Sequence, residues 1–249
     1  MTDSDLTKIA FVGDYLPRKC GIATFTHDLR GAVARASSAQ CVVVPVDDIA
    51  GGYDYSSEVS FQISEEDLDA YRRAADYLNF SNVDVISLQH EFGIFGGLGG
   101  SHILAFLRDV RIPVVTTLHT VLSKPDATQR RVMEQLTELS TRLVVMTQRS
   151  RETLCQTYAV PESKVDLIAH GIPDSAYADP SEFKEQFGVE GRQVALTFGL
   201  LSPNKGIEYV LNAIPEVIGQ FPDFVYLILG ATHPSLVRSE GERYRISLE

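Results

Sequence analysis

At 249 residues, with 44% hydrophobic and 22% charged side chains, the chain suits one large or two modest soluble globular cores. A formal net charge of -11 argues against a general nucleic-acid binder, and the three cysteines, Cys20, Cys41 and Cys155, fit neither a disulfide framework nor a zinc site. No apolar run approaches the ~20 residues that cross a bilayer, and the acidic start Met1-Thr2-Asp3-Ser4-Asp5 lacks a secretory signal, so the expectation is a cytoplasmic protein with peripheral membrane association at most.

Lys8–Gly13 reads as a first strand, followed by a loop through Pro17 and Gly21 and a helix from Thr24 to Ser37 with Phe25, Leu29, Val33 and Ala36 along one face. Cys41–Val46 is an unbroken apolar strand of the kind buried on both faces of a parallel sheet. A short strand is expected at Val59–Ile63. Ser64-Glu65-Glu66-Asp67 resembles a helix start, continued by Leu68, Tyr71, Ala75 and Leu78. Val83–Leu88 is the next strand, and the glycine-rich segment Gly93–Gly100 separates it from a helix at Ile103–Val110.

Pro113–Leu118 (strand), Ala127–Leu139 (helix), Leu143–Met146 (strand), Ser150–Tyr158 (helix) and Val165–Ala169 (strand) complete the alternation. A doubly wound parallel sheet is the economical architecture. After His170-Gly171 the pattern breaks; Pro173, Pro180 and mixed charges mark a linker with one helical turn near Phe183–Phe187. The strand–helix–strand rhythm resumes with Val194–Phe198, a helical stripe of Ile207, Val210, Leu211, Ile214, Val217 and Ile218, and Phe224–Leu229. From His233 to Glu249 no strong apolar period stands out. Two strands and one helix are too little to bury a sheet of their own, so this part either is a fragment or leans on something else.

Ligands of open parallel sheets sit beyond the carboxyl ends of the strands. Gly21, at the mouth of the first helix, permits close approach of a phosphate or sugar, although a plain turn glycine fits equally. His90 and Glu91 follow the strand Val83–Leu88 and place an imidazole beside a carboxylate, suited to binding hydroxyls or moving protons; a structural burial of one of them is the competing reading. His119 follows Pro113–Leu118 directly and faces the same crevice, with a satisfied structural histidine as the competing reading. Gly199, then Lys205-Gly206 before a helix, forms a strand–turn–helix unit whose backbone N–H groups, helix dipole and ammonium favour an anion such as a diphosphate; a solvated lysine on an ordinary turn fits the same spacing. No dinucleotide fingerprint, Walker loop or nucleophile elbow is present, and the histidines lack metal-ligand spacing.

Taken together and in order, Arg18-Lys19-Cys20-Gly21-Ile22-Ala23-Thr24-Phe25, Thr117-Leu118-His119-Thr120, Val144-Val145-Met146-Thr147, Val165-Asp166-Leu167-Ile168-Ala169-His170-Gly171-Ile172 and Phe198-Gly199 through Lys205-Gly206 resemble the retaining glycosyltransferases of family 4. The resemblance implies an α/β, GT-B-like fold: residues 1–172 as a complete Rossmann-like acceptor-side domain, 173–192 as linker, and 193–249 as the first β-α-β of a second, nucleotide-sugar-binding domain. It implies transfer of a sugar from a nucleotide diphosphate sugar, the donor substrate, to a carbohydrate or other hydroxyl acceptor, without a cofactor or metal. On this basis His119 is the catalytic residue at the transferred sugar. Gly21, Gly199, Lys205 and Gly206 are donor-binding, and Thr24, His90 and Glu91 acceptor-binding. Leu200 stands where the family usually has an arginine, and the family's later pair of glutamates would fall beyond Glu249, so the isolated chain is expected to be inactive. A sugar-phosphate isomerase or phosphatase, or a non-catalytic sugar-binding module, are the alternatives.

Overall fold

The computed structural model describes residues 6–249 and divides into two compact units, one ending at Gly171 and one beginning at Ile172. In the first unit, β1 (Lys8–Gly13), β2 (Gln40–Asp47), β3 (Ile63–Ser64), β4 (Val85–His90), β5 (Val114–Leu118), β6 (Arg142–Val145) and β7 (Val165–Leu167) form a seven-stranded sheet. Its order is β3-β2-β1-β4-β5-β6-β7, with every neighbouring pair parallel. The helices α1 (Gly21–Ala36), α2 (Leu68–Asn79), α3 (Ile103–Asp109), α4 (Ala127–Leu139) and α5 (Gln148–Tyr158) connect these strands.

The unbroken apolar runs have a simple cause: both faces of the sheet are covered. Along β1, Ala10 and Val12 enter one core with α2 and α3, while Ile9 and Phe11 enter a second core beneath α1. Side chains alternate across a strand, so a strand buried on both sides needs apolar residues at every position. Each fully buried large side chain, such as Phe11 or Leu88, contributes about 1.5–3 kcal/mol of transfer free energy.

Helix starts follow local capping. The Asp67 carboxylate accepts the Asp69 N–H and begins α2, whereas Ser64, expected to cap it, pairs with Asp47 in β3. The acid three residues on is free to cap because the serine is committed to the sheet. Asp126 and Gln129 form a reciprocal capping box on α4. Of the expected strand Val59–Ile63, Val59 makes an isolated bridge to Val43 and only Ile63 joins β3. α1 begins at Gly21, three residues before the expected start. It buries Ala23 and Thr26, with Leu29 and Val33 against the core. Phe25, expected on that same stripe, turns instead to the carboxyl end of the sheet, against two histidines.

In the second unit, β8 (Gln193–Phe198) and β9 (Phe224–Leu229) pair in parallel and are joined by α7 (Ile207–Gln220). A short α6 (Pro180–Lys184) runs into the 3-10 turn Glu185–Phe187. Of the predicted α7 stripe, Ile207 is buried but Val210 and Ile218 remain more than a third exposed. The stretch from His233, read as lacking an apolar period, forms α8 (Pro234–Glu240) and α9 (Arg243–Ser247). α8 has a local start, where the His233 ring accepts the Ser235 N–H and Pro234 opens the helix, whereas α9 is tied to α7 by Tyr244 donating to Glu208 at 2.9 Å. Among the described residues no helix is long and apolar enough to cross a membrane.

Candidate functional site

Two polar groupings collect at the carboxyl end of the first sheet. The first surrounds His119, which follows β5. Its backbone N–H donates to the His90 carbonyl at 3.0 Å, and its Nε2 lies 3.0 Å from Gln89 Oε1. The Phe25 ring meets His119 edge-on at 4.7 Å and His170 at 5.1 Å, bringing α1, β4, β5 and the segment after β7 to one place. Burial, with His170 as the second cause, lowers the His119 pKa to about 4, so the imidazole is neutral at physiological pH.

His90 behaves differently from expectation. β4 runs two residues further than predicted and carries His90 inside the sheet, wholly buried. Its ring stacks on Phe95 and meets Phe92 edge-on, and among the described residues neither nitrogen has a hydrogen-bond partner. Desolvation, with His119 as a smaller cause, lowers its pKa to about 3. His90 therefore presents no imidazole to an acceptor; the reading of it as an acceptor contact is corrected by the aromatic cover of Phe92 and Phe95. Glu91 is half-buried, and its carboxylate accepts the Phe92 N–H at 3.0 Å. Thr24 is exposed in the first turn of α1, where its hydroxyl donates to the Cys20 carbonyl. Gly21 is the first residue of α1, and a Cβ built there would meet open space.

The second grouping escaped the sequence reading. Arg18, one residue of a quoted motif, is the hub of a buried charge cluster. Its Nη1 donates to Asp14 Oδ1 at 2.9 Å and to the Val46 carbonyl at 3.2 Å. Asp48 lies 3.6 Å and Glu65 3.7 Å from the same guanidinium. Tyr55 donates to Asp47 alongside. Burial raises the Asp14 pKa to about 7 despite the opposing pull of Arg18. No local pattern announces this, because Asp48 and Glu65 stand some thirty to fifty positions from Arg18 and only Asp14 is close in the chain.

The Asp14 proton has a measurable consequence. Between its ordinary value of 3.8 and about 7, the folded chain holds a proton that the unfolded chain has lost. Stability therefore falls as pH rises through that window, by about 1.4 kcal/mol per pH unit. Asp14→Asn is expected to remove this falling slope, read from urea midpoints at a series of pH values.

In the second unit, Gly199 follows β8 and Gly206 precedes α7, each with positive φ. Lys205 closes the 3-10 turn Pro203–Lys205 between them and is exposed. Gly199 is packed against Gly230. A Cβ at Gly230 would lie 1.8 Å from the Gly199 carbonyl oxygen, so the ends of β8 and β9 approach as closely as backbones can. Gly21, Thr24, His90, Glu91 and His119 lie in the first unit and Gly199, Lys205 and Gly206 in the second.

Residues 21–176 match Glycosyltransferase Family 4. The chain belongs to that family. Relatives in sequence include an uncharacterized glycosyltransferase of Methanocaldococcus jannaschii, 26% identical over 156 residues, covering 57% of this chain and 38% of the relative. A D-inositol 3-phosphate glycosyltransferase of Segniliparus rotundus is 29% identical over 144 residues, covering 52% and 32% respectively. The match thus spans about a third of the length of these curated relatives. In fold, the family 4 chain is similar to a glycosyltransferase from Rickettsia africae, with TM-score 0.60 at 12% identity over 94% of this chain and 71% of that one. It is also similar to a UDP-GlcNAc 2-epimerase of Methanocaldococcus jannaschii, with TM-score 0.56 at 10% identity over 97% and 68%. These likenesses establish an α/β, GT-B-like fold.

Proposed function

We propose that this family 4 chain serves transfer of a sugar from a nucleotide diphosphate sugar to a hydroxyl acceptor, with retention of anomeric configuration. The observation that carries the reading is the family match over residues 21–176, a span that holds Gly21, Thr24, Glu91 and His119. In this reading the first unit contributes His119 as a neutral hydrogen-bonding group at the transferred sugar. Glu91 and Thr24 offer acceptor contacts, and the open backbone at Gly21 lets an anionic group approach the first N–H groups of α1. The second unit contributes Lys205, Gly206 and the start of α7 as the electropositive turn for phosphate. Charge grows on the departing diphosphate as the glycosidic bond breaks, and a fixed ammonium with oriented N–H groups stabilises that charge. The reading assigns no metal and no cofactor beyond the donor substrate itself.

Calorimetric titration with UDP, GDP and a sugar phosphate tests the proposal. A nucleoside diphosphate is expected to bind, and a preference for the sugar phosphate would point to isomerase or phosphatase chemistry instead. Lys205→Ala removes one charge-assisted contact of about 1.5–3 kcal/mol, so nucleoside diphosphate affinity should fall roughly 10- to 100-fold. Unchanged affinity would remove this lysine from the site. Anomeric NMR of any transfer product tests retention.

A further inference from the structure

We propose that Gln89 is a positioning residue that holds His119 in the Nε2-protonated, neutral tautomer, leaving Nδ1 as the ring's hydrogen-bond acceptor for a ligand hydroxyl. The inference rests on the sugar-transfer reading for the ligand class, and on geometry alone for the tautomer.

Gln89 is wholly buried in β4. Its amide Nε2 donates to Ser87 Oγ at 3.1 Å, and its Oε1 faces His119 Nε2, 3.0 Å away. A carbonyl oxygen only accepts, so that ring nitrogen carries the proton. The Gln89 side chain is itself wedged: a Cβ built on Gly13 would come within 2.9 Å of Gln89 Cβ, so β1 closes against it where no other side chain fits. The His119 ring is braced by the Phe25 edge contact and its main chain by the bond to His90. Among the described residues no hydrogen bond engages His119 Nδ1, and the residue is only partly buried, so this nitrogen is left for a ligand.

An amide is the telling choice. A carboxylate in the same place would also accept from Nε2, but it would favour the imidazolium, which donates from both nitrogens and attracts phosphate oxygens. An uncharged amide orients the ring without charging it. A neutral ring with a lone pair at Nδ1 receives an O–H and offers a phosphate oxygen neither a proton nor a charge. The group that meets His119 is therefore a hydroxyl-bearing part of the substrate rather than a phosphoryl group.

The test is nitrogen-15 histidine NMR of the whole chain at neutral pH, with the His119 signal identified by its loss in His119→Asn. The expected result is the Nε2–H tautomer; an Nδ1–H tautomer overturns the proposal without reference to any variant. Gln89→Glu should keep Nε2 protonated and raise the His119 titration midpoint by about two pH units, as a carboxylate neighbour does. Gln89→Leu should yield a tautomer mixture, and an undisturbed tautomer in a folded Gln89→Leu variant would refute the positioning role. The arms separate from the parent reading. The expected tautomer without nucleoside diphosphate binding defeats sugar transfer alone; the opposite tautomer in a chain that binds nucleoside diphosphate defeats the role of Gln89 alone.

Discussion

Gly96→Ala is expected to lower the unfolding free energy by about 2–6 kcal/mol, seen as a large drop in the urea midpoint at constant slope. Gly96 lies in the loop after β4, where a Cβ would stand 2.0 Å from the Glu65 carbonyl oxygen and 2.6 Å from His102 Nδ1. That carbonyl already accepts the Tyr71 hydroxyl at 3.0 Å, and the same hydroxyl accepts the Gly96 N–H at 3.1 Å. The obstacle is backbone, which has nowhere to swing, so the loop must lift and abandon a fully buried tyrosine hydroxyl. Two costs then add: the overpacking, about 1–3 kcal/mol, and the unsatisfied hydroxyl, about 1–3 kcal/mol. Gly93→Ala is the control. Nothing lies within 4 Å of its Cβ position, and the change should move stability by no more than about half a kcal/mol.

His90→Leu is expected to make the chain more stable in mild acid, by about 2 kcal/mol at pH 5. The sign follows from the direction of the shift. Burial lowers the folded pKa to about 3 from the ordinary 6.5, so between those values the unfolded chain binds a proton that the folded chain refuses. Wild-type stability is therefore lost as pH falls through that window. Leucine abolishes the linkage and also ends the burial of two unpaired nitrogens, a change that is neutral or favourable when an apolar group of similar size replaces the ring. Loss of the stacking on Phe95 opposes the gain and is smaller, about 0.5–1.5 kcal/mol. The Asp14 proton pulls stability the other way over part of the same range, so the His90→Leu and Asp14→Asn slopes should change with opposite signs. A steeper acid loss in His90→Leu would contradict the assignment of His90 as a buried neutral ring.

The strands of the first sheet were readable because its burial on both faces writes itself as continuous apolar runs; β1 coincides with its expected bounds. The misreadings have physical causes. Glutamine and histidine end an apolar run and so suggest that β4 stops at Leu88, yet Phe92 and Phe95 cover His90 while Gly13 and His119 close against Gln89, which makes both positions interior. Thr24 resembles a helix start because hydroxyls cap helices well, but the three residues before it are already helical. His119 was legible from its place directly after a strand. Gln89 was not, since a single amide in a strand carries no spacing signal and its role exists only through a bond thirty residues away. Arg18 was quoted for its motif, but nothing short of coordinates reveals that it gathers carboxylates from three separate loops.

Gly21 and Phe25 stand four residues apart on α1, which places them one above the other on the same side of the helix. One touches open space at the helix mouth; the other leans on the ring of His119. A rigid rod joins them. The phenyl edge that braces the imidazole is therefore set by the same helix whose first residue is Gly21.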